Sequence, residues 1–212
     1  MSLAKQEQGC TIMKILVVEE CYYTRSGISE FLKQSDNAEN LEIVDSPSIN
    51  EAIDIVTHFS PDIVLANLTH YCHHASYCSD LQKFITLIDN TRIYIYLNSA
   101  YPYCDNHIAL KDNAFILAKK NLTYLLNKIS KTTLQEIQRH KATVDQCCSI
   151  FSPQEHKVID YWMKETPNYK ISQKLKISSS TVYSHKRHIT EKMNVRNRIE
   201  LCFIYNVFKY LY

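Results

Sequence analysis

Glycine is almost missing from this chain, two residues among 212. Turns must therefore rely on Asn, Asp, Ser and Pro. Also missing is any apolar run of membrane-spanning length, or a charged-then-apolar leader. Those two absences lead us to expect a cytoplasmic protein with no membrane partner. The eight cysteines are then expected to be reduced thiols rather than a disulfide framework. No CxxC spacing occurs among them, which removes the commonest zinc and dithiol motifs. Net charge is nearly absent as well, +2 overall. It divides unevenly: from residue 151 onward 11 Lys+Arg face 5 Asp+Glu, leaving +6, so the remainder carries −4. A basic rear on an acidic front is the balance expected of a polyanion reader joined to a different kind of domain.

What is present is organised around Ser178 to Met193. Val182, Ile189 and Met193 recur at helical spacing and form a core stripe, while Tyr183, Ser184 and Arg187 point elsewhere. The serine cluster ahead of them supplies an N-cap and a helix start rich in free N–H groups. With His185, Lys186, Arg187, His188 and Lys192 the outward side is polar and cationic. Such a helix fits a DNA major groove, its N-terminal half at the base edges. Upstream, Asn168 to Leu175 predicts a short helix and Lys176-Ile177-Ser178 a tight turn, the spacing of a helix-turn-helix. Pro153 to Lys164 predicts a supporting helix. A last one runs from Arg198 to Tyr212, with Leu201, Ile204, Val207, Phe208 and Leu211 along one side. That apolar end helix offers a dimer surface, or else packs on its own domain.

The front of the chain alternates short apolar runs with helical patterns from Met13-Lys14 onward, the first dozen residues being set aside. Lys14–Val18, Leu41–Val44, Pro61–Asn67, Arg92–Leu97 and Ala114–Ala118 predict five strands. Helical patterns around Ile28 to Leu32, Ile49 to His58, Asp80 to Asp89 and Leu122 to Ile129 separate or follow them. Alternation of this kind calls for a doubly wound parallel sheet covered on both faces. Residues 131–149 are polar, mixed in charge and read as a linker, leaving domains at 13–130 and 150–212.

Phe151-Ser152-Pro153-Gln154-Glu155, Val158-Ile159, Asn168, Ile171, Leu175, Ile177-Ser178, Thr181-Val182, His185, Ile189, Lys192-Met193, Val195 and Arg198 together resemble the LuxR/FixJ-type helix-turn-helix. Ser184-His185-Lys186 is most similar to the RcsA/RcsB branch of that family. The family's usual glycine between the first two helices stands here as Glu165, and its Lys-Glu before Ile171 as Tyr169-Lys170. The order of elements in front resembles a response-regulator receiver, so the whole is similar to a NarL/FixJ-type regulator: a receiver-like five-stranded α/β domain linked to an all-α four-helix DNA-binding domain. The resemblance implies an acidic pair after the first strand, an acceptor aspartate after the third, a Thr/Ser after the fourth and a Lys after the fifth. Glu19 and Glu20 keep the pair, but Asn67 stands at the acceptor position; Asn98 or Ser99 falls near the Thr/Ser, and Lys119 fits the lysine with a one-residue slip. An amide oxygen is a poor nucleophile and brings no charge to a divalent cation. The expectation is a pseudo-receiver that phosphorylation does not switch, with no catalytic residues and no cofactor.

The loop His70 to Cys78 gathers imidazoles and thiols. Cys72, His73, His74 and Cys78, with Cys104 from a neighbouring loop, are candidate metal ligands, although their spacing matches no standard motif. The expected function is bacterial transcription regulation through double-stranded DNA. Tyr183, Ser184 and Arg187 are expected at base edges, and Thr181, His185, Lys186 and Lys192 as phosphate clamps. The chain would act as a homodimer or as a heterodimer with another response regulator. The alternatives are a co-regulator or antagonist working through heterodimerisation, or a metal or redox sensor at the 70–78 loop.

Overall fold

The computed structural model describes residues 12–102, 107–134, 136 and 149–212. Most of the expected linker, with Cys147-Cys148, and the candidate ligand Cys104 lie outside the described residues. The first domain is built from β1 (Met13–Val18), α1 (Tyr22–Lys33), β2 (Leu41–Ser46), α2 (Ile49–Phe59), β3 (Ile63–Asn67), α3 (Thr69–Cys72), α4 (Ser79–Leu87), β4 (Arg92–Leu97), β5 (Ile108–Lys111), β6 (Ala114–Ala118) and α5 (Leu122–Ile129). The sheet has six strands in the order β2-β1-β3-β4-β6-β5. This corrects the expected five. The five anticipated strands pair in parallel, and β5 adds to the outer edge antiparallel to β6.

Strand alternation divides the sheet's side chains between two cores. Leu16, Val18, Val64, Ala66, Ile93, Ile95 and Ile116 meet α2 and α4 on one face. Ile15, Val17, Ile63, Leu65, Tyr96 and Leu117 meet Ile28 and Leu32 of α1 and Leu125, Leu126 and Ile129 of α5 on the other. Burial on both faces is why the strands read as continuous apolar runs instead of alternating ones. The strand order reverses at β1, so the carboxyl ends of β1 and β3 open a crevice, and Glu19 and Asn67 stand at its edge.

The second domain is four helices: α6 (Pro153–Met163), α7 (Asn168–Leu175), α8 (Ser179–Lys192) and α9 (Arg198–Phe208). Ser152 caps α6 in a reciprocal box with Glu155, and Ser178 and Asn197 cap α8 and α9 through their side-chain oxygens. The shortage of glycine shows at the helix ends. Ser60, Glu165, Lys176 and Asn194 all take positive φ, from 50° to 57°. Asn adopts that region readily; Glu and Lys do so against the clash of Cβ with the following carbonyl. Glu165→Gly should therefore raise stability by about 1 kcal/mol in chemical denaturation, the exposed Arg198 contact at 3.4 Å being a small loss.

The first core runs on without a break into the second domain through Tyr101, Leu110 and Phe151. Polar contacts accompany it. Tyr101 Oη donates to the Met193 carbonyl (2.6 Å), Asn206 Nδ2 to the Cys72 carbonyl (2.9 Å) and Lys209 Nζ to the Ala75 carbonyl (2.8 Å). Tyr210 Oη accepts from the Cys78 N–H at 2.7 Å, and Tyr212 Oη donates to the Leu110 carbonyl. The apolar stripe of α9 is thus consumed inside the chain: Leu201 and Ile204 are fully buried and Phe208 nearly so. Of its two expected roles, the described arrangement takes packing.

Candidate nucleic-acid interface

α8 presents two unlike sides. Val182, Ile189 and Met193 are sealed into the core, and around them α6 and α7 make the helix's main contacts. The opposite side carries Tyr183, which is 67% exposed, with Ser184, Arg187 and Glu191. Residues three and four apart share a helix face, so these four form one strip along the axis. Arg187 Nε donates to Glu191 Oε1 at 2.7 Å, and that contact raises the guanidinium's already high pKa. Both side chains lie in solvent, so the pair constrains Arg187 little and releases it readily to a better acceptor. Ser184 Oγ donates back to the Ser180 carbonyl at 3.1 Å.

The residues expected on phosphates are distributed differently. Thr181 stays at the capped start, its N–H donating to Ser178 Oγ at 3.0 Å. Lys186 is half-buried: Nζ donates to Asn168 Oδ1 at 2.6 Å and sits 4.7 Å from the centre of the Trp162 ring. Burial, then the Arg198 charge, lowers its pKa. Lys192 Nζ donates to Glu155 Oε2 at 2.6 Å. Although burial pushes Glu155 up, the hydrogen bonds from Lys192 and Ser152 hold it below the usual carboxylate range. His185 turns inward, its Nδ1 buried without a hydrogen-bond partner. Three of the seven expected contacts are therefore engaged with, or turned toward, the domain itself. Lys176 is a further exposed cation, in the turn between α7 and α8 that precedes the N-cap.

At the receiver-like crevice, Glu19 is 2% exposed and fully engaged. Asn67 Nδ2 donates to both of its oxygens (3.2 and 3.0 Å), Tyr96 Oη to one (2.8 Å) and the Cys21 N–H to the other (3.0 Å). Lys119 Nζ lies 4.0 Å from Glu19 and donates to Thr24 Oγ1 at 2.9 Å. Asn67 Oδ1 accepts from Thr69 N and Oγ1, and Thr69 Oγ1 accepts in turn from the Asn98 N–H at 2.8 Å. Thr69 was not anticipated, yet it closes the site. Ser99 Oγ points to the Tyr101 carbonyl at 3.4 Å instead of toward Asn67, and Glu20 is exposed. The arrangement meets the needs of a buried carboxylate with amide and hydroxyl donors, where a second carboxylate would require a cation.

Among the described residues, the candidate ligands of the 70–78 loop do not converge as a group of three. Cys72 is 1% exposed in the apolar core and burial pushes its thiol up to about 12, far from thiolate at neutral pH. His73 packs edge-on to Phe203, with ring centres 5.0 Å apart. Among the described residues the one group of three converging metal-ligating side chains is Glu155, His185 and His188.

Comparison with known proteins gives two family matches. Residues 14–142 match the family described as transcriptional regulator RcsA, N-terminal dimerisation domain, and residues 149–204 match bacterial regulatory proteins of the luxR family. The chain is similar to the transcriptional regulatory protein RcsA of Erwinia amylovora, 23% identical over 191 residues, covering 88% of this chain and 90% of that one. It is likewise similar to EntR of Citrobacter freundii, 27% identical over 192 residues, covering 88% and 94%. Among solved structures it is similar to a complex of the two-component response regulator RcsB with DNA: 17% identity, TM-score 0.47, covering 93% of this chain and all of that one. Among the described residues no helix is long and apolar enough to cross a membrane. The first family alone spans more than half of the chain, and the chain therefore belongs to the RcsA-type transcription regulators, DNA-binding proteins in which a receiver-like dimerisation domain is joined to a LuxR-type helix-turn-helix.

Proposed function

We propose that α8 enters the major groove of duplex DNA with Tyr183, Ser184 and Arg187 at the base edges. Arg187 reads a guanine through its paired N–H donors, while Thr181 and Lys176 hold flanking phosphates. The domain boundaries that go with this reading are 13–130, 131–149 and 150–212. The observation that carries it is the exposed Tyr183–Ser184–Arg187 strip, opposite a core stripe that locks the helix in place. The front domain works as a phosphorylation-independent dimerisation module in the cytoplasm and carries out no chemistry.

A specific observation favours action beside a partner. Lys186 and Lys192 are held by Asn168 and Glu155, which leaves the groove-facing side with few free cations. Each neutralised phosphate adds about 0.9 to the slope of log affinity against log salt, so a lone protomer has a weak electrostatic hold on DNA. Pairing with a second regulator would supply the missing contacts, as would a second copy. The test is affinity for selected duplexes at several salt concentrations, with and without a partner regulator. Arg187→Ala should weaken specific binding roughly 5- to 100-fold and relax preference at one base pair. Unchanged affinity and preference in that variant would remove the proposed readout.

A further inference from the structure

We infer that Glu155, His185 and His188 form a binding site for a zinc-class divalent cation on the flank of the groove-facing helix. One carboxylate oxygen and one ring nitrogen from each histidine lie within 4.8 Å of one another. Donors around a tetrahedral zinc stand about 3.3 Å apart, so modest side-chain rotation closes the set. The two histidines are three positions apart on α8 and share a face. That face looks onto the first turn of α6, where the capping box fixes Glu155.

The polar atoms around this group are unevenly satisfied. Both hydrogen bonds to Glu155, from the Ser152 N–H at 2.7 Å and from Lys192 Nζ at 2.6 Å, land on Oε2, leaving Oε1 for a further partner. His185 Nδ1 is buried and has no hydrogen-bond partner. A buried imidazole nitrogen without a partner is uncommon in folded proteins, and a cation bound through that nitrogen would satisfy it. His188 is exposed, which gives the ion a way in. Two imidazoles and one carboxylate are a nitrogen–oxygen set suited to zinc and its neighbours, and poorly suited to magnesium or calcium. Three protein ligands leave a fourth position to water, the mark of an exchangeable site. Lys192 is the opposing charge, and its ammonium competes with the metal for the same carboxylate. Filling the site would tie α6 to α8 and add positive charge beside the DNA-facing strip.

The experiment titrates zinc into the metal-free full-length chain and follows bound metal and thermal unfolding. One equivalent should bind at micromolar free zinc and raise the midpoint of unfolding, since a ligand specific to the folded state stabilises it. His188→Asn, at an exposed position, should unfold as the wild type does in chelator and lose that equivalent by at least about 10-fold in affinity. His73→Asn with His74→Asn should leave it in place, and cobalt in the site should show no thiolate charge-transfer band. Wild-type binding and stabilisation undiminished in His188→Asn, no zinc taken up at micromolar concentration, or a thiolate band would each overturn the assignment.

Discussion

Asn67→Asp is expected to destabilise the first domain by about 3 kcal/mol in chelator, and millimolar Mg²⁺ should restore part of the loss. The wild-type amide donates to both oxygens of Glu19, which is 2% exposed. A carboxylate in its place removes those donors and sets a second anion roughly 3 Å away. The remaining donors, Tyr96 Oη and the Cys21 N–H, are already used, and Lys119 Nζ stands back at 4.0 Å. Removing one partner of a buried charged pair costs about 3–5 kcal/mol; Asn67 is only half-buried, so the lower end applies. Two carboxylates at a rim are a hard-oxygen site, and Mg²⁺ relieves their repulsion. Denaturation of both proteins in chelator and in Mg²⁺ checks this. A wild type indifferent to Mg²⁺ beside a variant that depends on it is the expected pattern; equal stability in chelator would sink the account of the amide.

The same crevice marks how far the sequence could be read. Asn67 at the acceptor position was legible through the resemblance to a receiver, which places that position at the end of the third buried run, here Ile63 to Asn67. Thr69 was not, since its part depends on a single helical turn, α3, too short to announce itself by periodicity. The missed strand β5 has the same cause: Ile108–Lys111 is four residues long, with Ala109 exposed and only Leu110 fully buried. In the 70–78 loop, sequence neighbourhood suggested ligands that direction takes apart. Cys72 continues the buried line of Leu68, whereas His73 turns to Phe203. On α8 the apolar stripe and the outward strip followed from a 3.6-residue period alone. What periodicity leaves open is the reach of long side chains, which bury their stems while their heads find partners. Lys186 and Lys192 look exposed on a wheel, and their ammonium groups end on Asn168 and Glu155 of other elements.

Phe208→Ala should carry the largest penalty in the second domain, about 3–5 kcal/mol, and lower its melting temperature by roughly 15 °C or more. Phe208 is 2% exposed, and its ring centre lies 5.1 Å from Phe151, 4.9 Å from Tyr212 and 5.9 Å from His156. Offset and edge-on rings at these separations add to simple area burial. The cluster also stands where the two domains meet: Ile150 N donates to the Leu110 carbonyl at 3.1 Å, and Tyr212 Oη reaches the same carbonyl. Truncation should therefore loosen Tyr212 from β5 together with the helical core. Tyr205→Phe is the control. It keeps the ring and loses the partly solvated hydrogen bond to Asp160 (2.8 Å), a change of about 1 kcal/mol. Protein concentration decides between the two roles first open to α9. Packing within the chain makes the loss in Phe208→Ala the same at low and high concentration. A loss that vanishes on dilution of the wild type would mean that Phe208 is buried by a second subunit, and α9 would then be an interface between protomers.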